Sequence, residues 1–214
     1  MVLVAMAAAD EGWDGFGGDI GYWEKHFASA PDGLATDPLA AQYEWVSQGI
    51  DELVALLEPR LPRRGRLLHP GCGMSLLPVQ LLEVARAAAG DLEVLSVDGS
   101  ERCVAEMRRR FGAAPGLAWE LADVQDMRGL GDLGAEEPAF SGAVEKGCLD
   151  ALLCVSEEGA GRYVAEVARL LPSGAPFLVV SNCPVRHRHL SALFEVSEVL
   201  PLSEDCSVFG ASLY

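Results

Sequence analysis

Apolar residues along this chain alternate between stretches with a helical period and short continuous runs. The helical stretches lie at 50–57, 76–89, 101–111 and 160–171. The short runs, which predict strands, lie at 66–69, 92–97, 117–121, 139–144 and 176–181, with two more at 193–200 and 207–213. Such alternation is typical of a parallel sheet with helices on both faces. We therefore expect an α/β fold with a mostly parallel seven-stranded sheet, in which the last two strands form a C-terminal antiparallel hairpin.

The start of the chain departs from this alternation. Residues 1–20 are rich in alanine, glycine and aspartate, and we expect them to form a flexible N-terminal segment. Aromatic residues then flank a loop rich in proline, glycine and aspartate between positions 22 and 45. Since 214 residues suit one α/β unit and no internal repeat is visible, we expect residues 21–214 to form a single domain.

The balance of charges restricts the partners of the chain. It has 32 acidic residues against 16 lysines and arginines, which gives a formal net charge of -16. Such a chain repels polyphosphates, so we expect no binding to nucleic acid. A basic protein or a small charged substrate fits the overall field better.

The cysteines and the hydropathy indicate the compartment. The six cysteines include no CxxC pair and no cluster with histidine at zinc spacing, which argues against a disulfide scaffold and a structural metal. No run reaches the ~18 apolar residues that a membrane span needs, and the apolar start lacks the basic residues of a signal peptide. We expect a cytoplasmic monomer without metal or membrane association.

A glycine turn follows the first predicted strand. Gly71-Cys72-Gly73 separates the run 66–69 from the helix at 76–89. Glycines allow backbone N–H groups to approach a ligand at the carboxyl end of a strand, because no side chain intervenes. The turn lacks the third glycine of the dinucleotide fingerprint, which disfavours a nicotinamide-dependent oxidoreductase.

Acidic residues follow the next two predicted strands. Asp98 ends the run 92–97, and Asp123 follows the run 117–121 with Val124 beside it. A carboxylate in the first place can accept both ribose hydroxyls of a nucleoside, and one in the second place could receive an adenine amino group. Either acid could instead cap a helix or occupy a loop. Three strand-end features in this order predict a cofactor that contains a nucleoside.

Three sequence strings resemble those of a known family. They are "EKGCLDALL" at residues 145–153, "YWEKHF" followed by "YEW" between residues 22 and 45, and "GCGMS" at residues 71–75. Together they resemble the class I S-adenosylmethionine-dependent methyltransferases of the methyltransferase-like family that includes the eukaryotic elongation factor 1A lysine methyltransferases. The resemblance extends over residues 22–182. It implies a Rossmann-like class I methyltransferase fold, S-adenosyl-L-methionine as methyl donor, S-adenosyl-L-homocysteine as product, and a protein substrate such as elongation factor 1A.

The resemblance also assigns site residues. The residues that it implies around the cofactor are Trp23, Phe27, Trp45, Gly71, Cys72, Gly73, Asp98, Gly99, Asp123, Val124 and Lys146. Glu145 and Lys146 are the implied catalytic residues, and Glu145 is expected to orient the incoming amine. Without the resemblance, the tryptophans would be taken as core residues and the Glu145–Lys146 pair as a surface ion pair.

Three positions depart from the family strings. Met74 replaces asparagine, Cys148 replaces threonine, and Pro70 precedes the glycine turn. Because fold and cofactor motifs do not determine the acceptor, two alternatives to a lysine methyltransferase stay open. They are a small-molecule methyltransferase and a non-catalytic protein that binds the cofactor.

Overall fold

The computed structural model describes residues 19–28, 44, 49–130, 139–183, 185–203 and 206–214. Nearly all of the expected flexible segment 1–20 lies outside these residues, as does the proline-rich loop that follows it. The division into a flexible segment and a single domain therefore stays a prediction.

Seven strands form one sheet. They are β1 (Arg64–Pro70), β2 (Asp91–Asp98), β3 (Leu117–Leu121), β4 (Gly142–Lys146), β5 (Pro176–Ser181), β6 (Phe194–Ser203) and β7 (Cys206–Leu213). The order across the sheet is β3-β2-β1-β4-β5-β7-β6. The first five strands pair in parallel, whereas β7 is antiparallel to both β5 and β6. The predicted fold class and the terminal hairpin are confirmed.

Helices cover both faces of the sheet. They are α1 (Ile20–Ala28), α2 (Ile50–Leu57), α3 (Leu77–Ala87), α4 (Glu101–Phe111), α5 (Cys148–Leu153) and α6 (Glu157–Leu170). One hydrophobic cluster packs α2, α3 and α4 against one face, and a second packs α5 and α6 against the other. Because successive strand residues point to opposite faces, Val144 belongs to the first cluster and Ala143 to the second.

The fourth strand differs from its predicted bounds of 139–144. It begins later because the N–H groups of Ala139 and Phe140 donate to the carbonyl of Leu170, at the end of α6, rather than to a neighbouring strand. It also continues to Lys146. Glu145 and Lys146 are therefore strand residues with side chains on opposite faces of the sheet.

Two helices, α1 and α5, were not predicted. The six residues of α5 follow Gly147, which has a left-handed φ of 78°. A helix of this length has too few residues to show a hydrophobic period. Pro59 lies in a short 3-10 turn (Glu58–Arg60) directly after α2, so the end of that helix was predicted correctly.

Candidate functional site

The glycine turn lies at the carboxyl end of the sheet, between β1 and α3. Gly71 and Gly73 have left-handed φ values of 60° and 51°, which residues other than glycine rarely adopt. A Cβ atom on Gly71 would also stand 2.6 Å from the Cβ of Cys148, in the first turn of α5. The turn therefore packs directly on α5, and only glycine fits at position 71.

The carboxylate of Asp98 fastens this turn to the end of β2. The N–H of Gly73 donates to Oδ2 and the N–H of Ser100 to Oδ1, both at 2.9 Å. Burial raises the pKa of Asp98, although the two N–H groups oppose the rise by stabilising the charged form. Each carboxylate oxygen keeps a second lone pair for a further donor, such as a hydroxyl.

Helix α1 packs beside the end of β2. The Ser100 hydroxyl donates to Glu24 at 2.8 Å, and a Cβ atom on Gly99 would come within 2.8 Å of the Ile20 side chain. The rings of Trp23 and Phe27 stack with their centroids 5.8 Å apart. The structure thus brings Trp23 and Phe27 close to the glycine turn and the Asp98 loop, since Phe27 is also the nearest side chain to a Cβ on Gly73, at 3.8 Å.

Asp123 and Val124 follow the adjacent strand β3. The N–H of Ala122 donates to the carbonyl of Asp98 at 3.1 Å, which holds the two strand ends together. Asp123 is exposed and accepts from the N–H of Gln125 at 2.8 Å, whereas Val124 is buried in the second cluster. The predicted adenine pair is therefore next to Asp98, with its carboxylate accessible to solvent.

Lys146 is buried with a carboxylate that the sequence analysis missed. Its Nζ lies 2.8 Å from Oε2 of Glu44, and the two side chains are only 3% and 7% exposed. Glu44 also accepts from the hydroxyl of Ser75 at 2.9 Å and from the N–H of Leu76 at 2.8 Å. One carboxylate thus joins the end of β4 to the start of α3.

The indication for Glu44 was present in the sequence. It is the acid in the middle of the "YEW" string, of which only Trp45 is predicted as a site residue. Trp45 lies outside the described residues, so its place in the cofactor site stays a prediction. A buried lysine in a strand requires an opposite charge, but its sequence position cannot be derived from that requirement.

The buried charge of Lys146 affects a histidine on the same face of the sheet. Burial, assisted by the positive charge of Lys146, lowers the pKa of His69 to about 3, so this imidazole is neutral. Its Nδ1 lies 3.4 Å from the hydroxyl of Ser96. His69 therefore adds polarity to this face without adding charge.

Glu145 occupies the opposite face of the sheet from Lys146. Its Oε2 accepts from the N–H groups of Cys148 at 2.7 Å and Leu149 at 3.3 Å, which caps α5. Among the described residues its Oε1 has no hydrogen-bond partner. Burial raises the pKa of Glu145 to about 8, with Asp150 adding to the shift. Glu145 and Lys146 do not form the surface ion pair that their adjacency could suggest.

The same neighbourhood contains a half-buried carboxylate. Asp150 lies 2.6 Å from the guanidinium of Arg186 and accepts from the Ser181 hydroxyl at 2.6 Å and the Asn182 N–H at 3.0 Å. These contacts join α5, the end of β5 and the short helical turn that follows it. Arg186, the first residue of the basic run Arg186–His189, therefore has a structural partner.

The fold is that of the class I S-adenosylmethionine-dependent methyltransferases. The chain superposes with a TM-score of 0.62 on the 1,6-didemethyltoxoflavin-N1-methyltransferase of Burkholderia thailandensis, whose structure contains S-adenosylhomocysteine. The two sequences are 18% identical, and the match covers 90% of this chain and 87% of that one. No protein-family model matches the chain.

Curated relatives are similar to most of this sequence. The chain is 34% identical over 183 residues to EEF1A lysine methyltransferase 4 of Bos taurus, which covers 80% of this chain and 64% of the relative. It is 33% identical over 173 residues to the protein of that name in Mus musculus, covering 76% and 60%. The chain thus spans somewhat less than two thirds of the relatives' length. The resemblance inferred from the sequence strings is confirmed by these relatives.

Proposed function

We propose that this chain is an S-adenosylmethionine-dependent methyltransferase that N-methylates a lysine of a protein similar to elongation factor 1A. The observation that carries the proposal is the glycine turn after β1, which the Asp98 carboxylate fastens to the end of β2. The names of the curated relatives support the acceptor.

The shape of the turn fits a nucleoside-containing methyl donor. At Gly71 a Cβ would overlap Cys148, and the Gly73 backbone passes close to Phe27 without a side chain between them. Asp98 would hold the ribose through the lone pairs that Gly73 and Ser100 leave free, and Asp123 would accept from the adenine. Trp23, Phe27 and Trp45 would exclude water. When bound, S-adenosylmethionine supplies an electrophilic methyl group.

The protein side of the chemistry is to position a neutral amine in a dry pocket. Lys146 and Glu44 form a neutral pair at the end of β4, so Lys146 adds no net positive charge that would repel a lysine substrate. Glu145 holds α5 behind the glycine turn through its helix cap. This geometry supports a positioning role for Glu145, and its expected contact with the substrate amine stays a prediction.

The fold alone does not select the acceptor. The Burkholderia enzyme, named for a small molecule, shares it, which keeps a small-molecule methyltransferase as the second candidate. A protein that binds the donor without transferring methyl groups is the third.

Methyl transfer from a labelled donor distinguishes the three. The purified chain is incubated with labelled S-adenosylmethionine and either elongation factor 1A or a cell lysate from which small solutes have been removed and kept. We expect label in a protein band. Label only in the small-solute fraction would favour the second candidate, and tight donor binding without any labelled product would favour the third.

The matched variants are Gly71→Ala and Gly174→Ala. Both glycines have a left-handed φ, but a Cβ at position 174 meets nothing within 4 Å, whereas one at position 71 overlaps Cys148. Backbone strain of about 1–2 kcal/mol is therefore common to both variants. We expect Gly71→Ala to lose S-adenosylhomocysteine affinity by calorimetry at least 10-fold while Gly174→Ala retains it. Equal affinities of Gly71→Ala and Gly174→Ala for S-adenosylhomocysteine would show that the glycine turn is not part of the cofactor site.

The remaining expectations concern membrane association, oligomeric state, cellular location and nucleic-acid binding. Among the described residues, no helix is both long enough and apolar enough to cross a membrane. Light scattering after size exclusion tests the expected monomer, and fractionation of cells tests the expected cytoplasmic location. The expectation of no nucleic-acid binding rests on the net charge of -16.

A further inference from the structure

Two thiols and a carboxylate converge beside the glycine turn. The sulfur atoms of Cys72 and Cys103 and an oxygen of Asp98 all lie within 4.8 Å of one another. Cys72 belongs to the turn after β1, Asp98 ends β2, and Cys103 lies in the first turn of α4. All three residues are buried. Their separation along the chain hides the cluster from any search for closely spaced ligands.

We propose that Cys72, Cys103 and Asp98 form a binding site for Zn²⁺, and that the bound ion excludes the methyl donor. Zinc binds thiolate sulfur at about 2.3 Å and carboxylate oxygen at about 2.0–2.2 Å, so tetrahedral ligands stand roughly 3.5–4 Å apart. Donor atoms within 4.8 Å of one another therefore need to approach by no more than about 1.3 Å. Three protein ligands leave a fourth position for water.

The surroundings of Asp98 resemble the outer shell of a metal site. Its two oxygens are oriented by the N–H groups of Gly73 and Ser100, and the Ser100 hydroxyl is in turn held by Glu24. Hydrogen bonds of this kind hold metal ligands in place. The carboxylate of Glu24 adds negative charge near the cluster, which attracts a cation. Among the residues that the structure describes, no other group of three such donors comes together.

Binding of the ion is balanced by release of protons. The two thiols lose one proton each to solvent, two Zn–S bonds and one Zn–O bond form, and no electron is transferred. Because Asp98 is the carboxylate that we assign to the ribose, zinc and S-adenosylhomocysteine compete for it. This consequence for the enzyme rests on the proposed function, whereas the metal site itself does not.

The site is tested on the full chain after treatment with a chelator and a thiol-free reductant. Zinc is titrated against a chromophoric chelator, and Co²⁺ is used as a probe because thiolate ligation gives a charge-transfer band. The variant is Cys103→Ser, and the matched control is Cys154→Ser, which alters an exposed thiol. Thermal unfolding and S-adenosylhomocysteine binding without zinc show that each variant is folded.

We expect one zinc ion per chain, release of about two protons, and a cobalt band in the parent and in Cys154→Ser. Cys103→Ser should lose the band and bind zinc at least ~10–100-fold more weakly, the range seen when even an outer-shell partner is removed. Saturating zinc should weaken S-adenosylhomocysteine binding at least 10-fold in the parent and not in Cys103→Ser.

Several results would overturn the site. The first is an equal zinc affinity in the parent and in Cys103→Ser. The second is weak zinc binding without a thiolate band, as expected from exposed carboxylates. The third is formation of a Cys72–Cys103 disulfide, with loss of two hydrogens and no uptake of metal. If zinc binds as expected but S-adenosylhomocysteine never binds, the metal site stands and the proposed function fails. If S-adenosylhomocysteine binds and zinc does not, only this inference fails.

Discussion

Lys146 shows how one residue can impose a non-local requirement on the chain. Its ammonium group is buried at the end of a central strand, and the Glu44 carboxylate that neutralises it comes from a distant part of the sequence. A buried charge without its partner is strongly destabilising, even where the pair itself adds little net stability. The pair therefore holds the Glu44 side chain against the end of β4 and the start of α3.

Glu44→Gln should lower the free energy of unfolding by about 3–5 kcal/mol, because Lys146 stays buried without the carboxylate. Urea denaturation measures the change. The control is Glu158→Gln, which breaks an exposed pair with Arg162 and should change stability by no more than about 0.5 kcal/mol. Adding Lys146→Met to Glu44→Gln should restore part of the loss. Equal effects of Glu44→Gln and Glu158→Gln would contradict a neutralising role.

Glu145 predicts a pH dependence of stability. Its pKa is raised from 4.5 to about 8 by burial, so the folded protein holds this proton more tightly than the unfolded chain. The resulting stability is fully present below about pH 4.5 and is lost as the pH rises through about 8. Each unit of pKa difference corresponds to about 1.36 kcal/mol.

Glu145→Gln keeps an acceptor for the N–H of Cys148 but cannot ionise. We expect this variant to unfold at a higher temperature than the parent at pH 8, with the difference shrinking toward pH 5. The control is Glu101→Gln, at an exposed position on α4, which should show no such trend. Parallel melting curves for parent and Glu145→Gln at all pH values would refute the buried, protonated state. Turnover measured on the same variant tests whether the carboxylate acts on the substrate amine.

At the scale of elements, Ser100 has two roles where most helix caps have one. Its hydroxyl accepts from the N–H of Cys103 at the start of α4 and donates to Glu24 of α1. Ser156 caps α6 through the N–H of Gly159 and among the described contacts has no matching partner on another helix. A comparison of variants at the two serines therefore distinguishes the effect of a helix cap from the effect of the contact with α1.

Ser100→Ala and Ser156→Ala should each destabilise the protein by about 1 kcal/mol through loss of the cap. Hydrogen exchange should differ between them, because Ser100→Ala also removes one of the contacts that hold α1 beside the end of β2. We expect faster exchange over residues 20–28 in Ser100→Ala alone. Unchanged exchange there would mean that α1 is held by its ring contacts and by the remaining contacts of Glu24 with Arg102, and not by the Ser100 hydroxyl.

The elements that the sequence predicted well are those with long local patterns. Strands β2, β3 and β5 and helix α4 were found within one residue, because continuous apolar runs and a full helical period specify them locally. Helix α5 was missed because its capping acid belongs to the preceding strand and its six residues show no period. Of the candidate site, the proximity of the glycine turn to Asp98 was predictable from the order of these features along the chain. Glu44 and the Cys72–Cys103 contact were not, because they depend on tertiary packing.

At the scale of the whole molecule, the excess of acidic residues should govern the encounter with the protein substrate that we propose. With a net charge of -16, the chain attracts a basic surface at long range, and salt screens this attraction over about 8 Å at 0.15 M ionic strength. We expect the KM for a basic protein substrate to rise several-fold from low to physiological ionic strength. The affinity for S-adenosylhomocysteine, measured by calorimetry in the same buffers, should change much less. Equal changes would contradict electrostatic steering.

The position of β7 has a consequence for synthesis on the ribosome. The last strand in the sequence is not at the edge of the sheet but between β5 and β6, and Val208 and Phe209 within it are fully buried. Until residues 206–213 emerge from the exit tunnel, the backbone groups along one side of β5 have no native neighbour. An unpaired strand edge of this kind can template pairing with other chains. The nascent protein therefore passes through a stage in which one side of β5 is unpaired. This stage ends only when the β6–β7 hairpin folds back and β7 pairs with β5.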